Sequence, residues 1–217
     1  MTLKIRRART GDEYGLHQIK RSLPMPRAAK ETAEGGFLLG TTIETYRFFI
    51  ENAFVDVLEN ENETVGFAVV LPDELLRISE IWQRKDEIKW ESGKATRLLD
   101  KPLCYFEQLA VLPDKNYRFY GVALALAAAR QAFQKHEAMF ATTVVEPVCN
   151  RASIPFLESV GGMRVGIIDE FYPEFGNLVS AVHLLEREIF AANLAEHPLK
   201  TRIFQQIRNI DETTGEF

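Results

Sequence analysis

The stretch that decides the fold is Leu103-Cys104-Tyr105-Phe106-Glu107-Gln108-Leu109-Ala110-Val111-Leu112-Pro113-Asp114-Lys115-Asn116-Tyr117-Arg118-Phe119-Tyr120-Gly121-Val122-Ala123. Its first ten residues read as a buried strand over 103–112, and Pro113 opens a loop over 113–120. Small residues then start a helix over 121–135, with Val122, Ala125, Leu126, Ala129 and Phe133 forming one apolar stripe. A helix that starts this way offers backbone N–H groups and the positive end of its dipole to an anion. Gly121 removes the Cβ that would hold a phosphate off the backbone, and Ala123 allows a close approach. Arg118 adds a charge and a hydrogen-bonding fork. Glycine and alanine also open many helices that bind nothing, so spacing alone leaves both readings open.

Outward from this block the elements alternate. Downstream lie a strand over 139–145, a short helix over 153–160, the pair Gly161-Gly162, and strands over 163–168 and 178–185 joined through Tyr172-Pro173-Glu174-Phe175-Gly176. A helix-rich tail over 186–210 includes helices over 188–195 and 199–207, whose apolar residues Ile189, Phe190, Leu194, Ile203, Phe204 and Ile207 either pack within the chain or form a contact in a homodimer. Upstream, residues 72–102 form a charged insert with Trp82 and Trp90, read as one helix or two short ones. Before it, strands over 54–58 and 65–70 flank a polar turn over 59–63. The chain starts with a strand over 3–8. Thr10-Gly11-Asp12-Glu13 reads as a capping box for a first helix, and Thr41 with Glu44 as the cap of a second whose inner face holds Ile43, Tyr46, Phe49 and Ile50. The order β-α-α-β-β-insert-β-α-β-α-β-β-α implies an α/β chain of the α+β kind, with a mixed sheet and helices on both faces. Residues 1–185 form one domain under this reading, and 186–217 a helical extension with a frayed end.

Composition narrows the function. The 217 residues are 46% hydrophobic and 11% aromatic, enough for a sizeable core. A net charge of −5 without a basic stripe argues against nucleic acid as a partner and leaves room for a cationic substrate. No segment is long and apolar enough to span a membrane and no apolar run follows the first residues, so a cytoplasmic protein is expected. The two cysteines, Cys104 and Cys149, sit in apolar surroundings and read as free thiols. The four histidines have no metal-ligand spacing, so no metal is expected.

Arg118-x-x-Gly121-x-Ala123, following Leu109-Ala110-Val111-Leu112-Pro113, resembles the coenzyme A motif of the GNAT superfamily of N-acetyltransferases. Asn150-x-x-Ser153-x-x-Phe156 followed by Gly161-Gly162-Met163 is similar to a second segment of that family. The two motifs stand at the family's separation, in its element order from residue 1 to about 185. The resemblance implies a GNAT-like fold with a helical insert between the third and fourth strands, a helical C-terminal tail, and acetyl-CoA as co-substrate. It also implies that amides from Arg118 through Phe119, Tyr120, Gly121 and Val122 to Ala123 hold the pyrophosphate. Leu109, Ala110 and Val111 would offer strand backbone to pantetheine, and Asn150 its side-chain amide. Pantetheine would fill the gap between two splayed strands, and amides near Val111 would polarise the thioester carbonyl.

The implied reaction is direct attack, in a ternary complex, by a primary amine of a small molecule or peptide. Such an amine is mostly protonated at neutral pH and needs a base. Two-residue alternation puts Glu107 on a strand face with Leu103, Tyr105, Leu109 and Val111. A carboxylate there is costly unless paired or used, and many family members have a glutamate at this position. A solvated cleft or an arginine partner would account for it equally. The tyrosine with which many members protonate the leaving thiolate is replaced by Leu157, so the donor is open among water, Tyr117, Tyr120 and Tyr172. Trp82 or Trp90 could wall the acceptor or merely anchor the insert. Transfer of a larger acyl group, a non-catalytic coenzyme A binder and a partner-binding domain are the alternatives.

Overall fold

A computed structural model describes residues 3–25, 30–34, 37–114, 117–197 and 201, without the side chain of Arg118. The expected helix over 199–207, with Ile203, Phe204 and Ile207, lies outside the described residues. So do Lys115 and Asn116 of the loop.

The chain opens with β1 (Leu3–Arg7) and α1 (Asp12–Ser22), then a short β2 (Glu31–Thr32) and α2 (Ile43–Asn52). The hairpin β3 (Phe54–Asn60) and β4 (Glu63–Leu71) follows. Glu61 and Asn62 turn it, both at positive φ, so Glu59, Asn60 and Glu63 belong to strands rather than to the expected turn. The insert folds as α3 (Asp73–Ile78), α4 (Glu80–Gln83), a 3-10 turn (Lys85–Glu87), β5 (Lys89–Trp90) and α5 (Gly93–Thr96). The decisive block becomes β6 (Leu103–Val111) and α6 (Arg118–Ala132). Then come β7 (Ala138–Glu146), β8 (Cys149–Asn150), α7 (Ile154–Ser159), β9 (Met163–Tyr172), β10 (Gly176–Glu186) and α8 (Arg187–Glu196).

Eight strands form one mixed sheet in the order β1-β3-β4-β6-β7-β10-β9-β5. All its pairs are antiparallel except β6 with β7. The insert thus contributes a strand of its own, β5, against the outer side of β9. Two cores flank the sheet. On one face α6 packs Leu124, Leu126 and Ala128 against Cys104 and Met139, with α8 adding Phe190 and Leu194. On the other, α1 and α2 pack Leu16, Ile19 and Tyr46 against Phe67, Leu103 and Phe140. Because α6 lies between the sheet and α8, it is buried nearly all round, with Ala123, Leu124, Ala125 and Ala128 at 0% exposure. The expected single stripe is therefore too narrow: a helix covered on two sides needs apolar residues around most of its circumference.

Two caps differ from expectation. At α1 the N-cap is Gly11, and only the Glu13 half of the box forms, accepting from the Gly11 amide at 2.7 Å. At α2 the cap is Thr42, whose hydroxyl accepts from the Thr45 amide at 3.2 Å. Thr41 is buried and works elsewhere.

Candidate active site

β6 is the axis of the site. It pairs with β7 only from Leu103 opposite Ala138 to Phe106 opposite Ala141. Beyond that point β6 stays with β4 as far as Val111 opposite Gly66, and β7 stays with β10 as far as Glu146 opposite Val179. The two parallel strands therefore splay. Strand edges in such a gap present backbone groups that an extended ligand can pair with.

At the divergence β6 carries a bulge. Val69 pairs with Gln108 and Val70 with Phe106, which leaves Glu107 without a ladder partner. A bulge adds one residue and so reverses the alternation beyond it. Leu103 and Tyr105 face the α1–α2 side and so does Ala110, while Leu109 and Val111 join Cys104 and Phe106 on the α6 side. This corrects the expected common face of Leu103, Tyr105, Leu109 and Val111. Gln108 is held on the α1–α2 side: it donates to Thr41 Oγ1 at 2.7 Å and accepts from the Tyr46 hydroxyl at 2.9 Å.

The gap widens into a cleft of about 1550 Å³ lined by Glu107, Leu109, Ala110, Val111, Gly121 and Val122 from the decisive block. Thr142, Thr143 and Val144 of β7, and Asn150, Ser153 and Leu157 beyond it, form the facing wall. Burial pushes the Glu107 carboxyl up to about 7, and the carboxylates of Glu170 and Glu80 add to the rise. A group poised there can accept a proton near neutral pH. Tyr105 shares its hydroxyl with Thr142 Oγ1 at 2.5 Å.

The residues expected to hold coenzyme A divide. Gly121 faces Val111 across the strand–helix junction, and a Cβ built on it would meet the Val111 methyls at 3.4 and 3.5 Å, an ordinary contact. The protein's own packing thus does not require glycine at 121. The Gly121 amide is already bonded to the Tyr117 carbonyl at 3.0 Å, and Val122 and Ala123 lie further inside the helix. The amides expected from Gly121 to Ala123 are thus not available to a ligand, which corrects that part of the expectation. The turn before Gly121 has Tyr117 as N-cap with no side-chain cap bond, and no acidic residue. Ala123 is core, and neither Phe119 nor Tyr120 lines the cleft. Asn150 lines it, with its side chain in a local turn, accepting from the Ala152 amide at 3.1 Å and donating to Ser153 Oγ at 3.2 Å.

Trp82 and Trp90 do not line the cleft. Arg77 stacks 4.1 Å over Trp82, and Trp90 packs 6.0 Å from Phe140. Both anchor the insert on the core, and the insert's wall of the cleft is made instead by Leu75, Ile78, Ser79, Glu80, Ile81 and Arg84. Of the three tyrosines weighed as proton donors, only Tyr172 lines the cleft; Tyr117 is buried, with its hydroxyl accepting from Asn60 at 3.3 Å. Cys104 and Cys149 do not line it, and burial pushes the Cys104 thiol up, which makes it a poor nucleophile.

Sequence reasoning missed two features. One is Thr143, which stands on the cleft wall, is 2% exposed, and has a fully buried hydroxyl with no hydrogen-bond partner among the described residues. A buried hydroxyl without a partner carries an uncompensated desolvation cost and marks the position as unusual. The other is Glu170, which falls beyond the expected end of its strand at Ile168. The period Ile168, Glu170, Tyr172 was the available signal.

No family model and no curated protein sequence matches the chain. Solved structures do. A ribosomal-protein-alanine N-acetyltransferase from Brucella melitensis is similar at 19% identity and TM-score 0.56, over 84% of this chain and 98% of that one. A protein described as an acetyltransferase from Salmonella typhimurium, solved with acetyl-CoA, is similar at 17% and 0.54, over 86% and 95%. An acetyltransferase of the GNAT family from Streptococcus pneumoniae is similar at 14% and 0.55, over 85% and 99%. With its splayed parallel pair and the strand–helix junction beside it, the chain has the fold of the GNAT acetyltransferases.

Proposed function

We propose that the chain is an N-acetyltransferase that moves an acetyl group from acetyl-CoA to a primary amine by direct attack in a ternary complex. The observation that carries this reading is the coincidence of the β6–β7 splay with the bulge that turns Glu107 into the cleft. Acetyl-CoA would supply an activated thioester; the amine gains the acetyl group, loses a proton, and CoA leaves as its thiol. The turn before Gly121 would bind the pyrophosphate, with Arg118 beside it. The backbone of Leu109, Ala110 and Val111, with Thr143 and Asn150, would orient the pantetheine arm. Glu107 would take the amine proton, directly or through one water, a role supported by the rise of its carboxyl to about 7. The absence of a cysteine from the lining favours direct attack over a covalent intermediate. A cytoplasmic location is part of the same reading. Among the described residues, no helix is long and apolar enough to cross a membrane.

Mass spectrometry of an amine panel incubated with acetyl-CoA tests the proposal. A gain of one acetyl group per amine, matched by free thiol, is the expected result. Saturable CoA binding without product from any amine would reduce the chain to a binding protein.

A further inference from the structure

Four neighbouring strands each place a polar side chain at one end of the cleft: Glu107 from β6, Thr142 from β7, Ser180 from β10 and Glu170 from β9. On its own strand each neighbours residues of the α1–α2 core two positions away, for instance Phe140 before Thr142, Ile168 before Glu170 and Val182 after Ser180. Glu80 of α4 lines the same cleft. Glu170 is fixed by neutral donors, the Ser180 hydroxyl and the Tyr172 hydroxyl, the latter at 3.4 Å. None of Glu80, Glu107 and Glu170 has a lysine, arginine or histidine at ion-pair distance among the described residues. Arg84, whose charge reaches Glu170 and Glu80, gives its guanidinium to Glu87 at 2.7 Å and to the Asp169 carbonyl at 2.5 Å. No three acidic, histidine or cysteine side chains among the described residues are placed to hold a metal ion.

Three carboxylates that face one cleft, with Arg84 engaged by Glu87 and the Asp169 carbonyl and no ion-pair partner of their own among the described residues, repel one another, and each lowers its energy when a cation enters. One ammonium satisfies Glu107 alone. We propose that the acceptor carries a second positive charge besides the amine that reacts, and that Glu170, with Glu80 beside it, holds this second charge while Glu107 meets the reacting nitrogen. The inference rests on the acetyl-transfer reading of the cleft and narrows its substrate to dicationic amines. Glu170 is then a specificity-determining residue. The apolar side chains of Leu75, Ile78 and Phe48 on the same lining suit the methylene spacer between two charges.

The test is calorimetric binding of 1,4-diaminobutane and of n-butylamine to the protein in the presence of CoA, at low ionic strength, where screening is weak. The diamine is expected to bind at least about tenfold more tightly. Glu170→Gln keeps an acceptor for Ser180 and Tyr172. It is expected to remove most of that preference while leaving n-butylamine affinity within about twofold, and Glu80→Gln to remove a smaller part. Equal affinities for the two amines, or an undiminished preference in both variants, overturns the inference. Because the readout is binding, the two readings fail separately. A diamine that binds preferentially but is never acetylated keeps the second-charge subsite and refutes acetyl transfer. Acetylation of both amines at equal affinity does the reverse.

Discussion

Replacing Gly121 with alanine separates what the fold needs from what a ligand needs. The added methyl would touch the Val111 side chain at 3.4 and 3.5 Å, within ordinary contact. The residue lies inside α6, its amide already bonded to Tyr117. Alanine is about 1 kcal/mol better than glycine in a helix interior, so the free protein should gain up to that amount. For a chain of this size, about 1 kcal/mol moves Tm by roughly 2–4 °C. If a pyrophosphate packs against the Gly121 Cα, the same methyl intrudes on it, and CoA should bind at least about tenfold more weakly, near 1.4 kcal/mol. Thermal melts with and without CoA, together with calorimetry, give both numbers from one variant. A ligand that binds only the native state stabilises it by an amount set by its Kd, so the two measurements check each other. A Tm several degrees lower would refute the packing argument. A higher Tm with unchanged CoA affinity would refute the placement of the pyrophosphate.

Other outcomes follow from the same geometry. Glu107→Gln should lower kcat by about 10²-fold or more at neutral pH, leave CoA affinity intact, and remove the rising limb expected of the wild type as pH passes about 7. Because the folded-state carboxyl is raised above its unfolded value, its contribution to stability is present at low pH and lost as pH rises through about 7. The same variant should therefore be more stable than wild type at pH 8, by roughly 2–3 kcal/mol in denaturant titration. Equal stability at pH 8 would contradict the assigned burial cost. Thr143→Val removes a buried hydroxyl that has no partner and should stabilise the free protein by about 1 kcal/mol. If that hydroxyl serves pantetheine, CoA affinity falls at the same time; unchanged affinity removes Thr143 from the ligand contact. Gly162→Ala would set a Cβ 2.7 Å from the Leu157 carbonyl oxygen, a backbone atom, and should cost about 2 kcal/mol or more with little effect on CoA binding relative to folded protein. A neutral effect in chemical denaturation would show that the turn after α7 is more pliant than its geometry implies.

Local signals carried much of the fold. The strand–loop–helix block was readable because an apolar run of strand length ends in proline and small residues follow, and β6 and α6 lie within three residues of the expected bounds. Turn chemistry likewise placed the β3–β4 and β9–β10 hairpins. What escaped depends on partners distant in sequence. The bulge at Glu107 exists only in register with Val69 and Val70, so alternation within β6 assigned Leu109 and Val111 to the wrong face. β5 is two residues long and is a strand only because Gly166 and Ile167 pair with it. Thr41 and Thr42 are equivalent as caps by residue type; Gln108, 67 residues away from Thr41, decides between them. The tryptophans of the insert resembled a pocket wall because a buried aromatic anchor and a binding aromatic have the same sequence signature, and the stacked Arg77 distinguishes them.

The hydrogen bonds from Thr41 through Gln108 to Tyr46 link the start of α2 to the residue next to Glu107. Drift in the segment before α2, even at positions outside the cleft, would be transmitted as a small rotation of Glu107. Under the proposed acetyl transfer, altering what the cleft recognises and altering the rate of turnover are thus mechanically joined, and laboratory evolution of one should select compensating changes in the other.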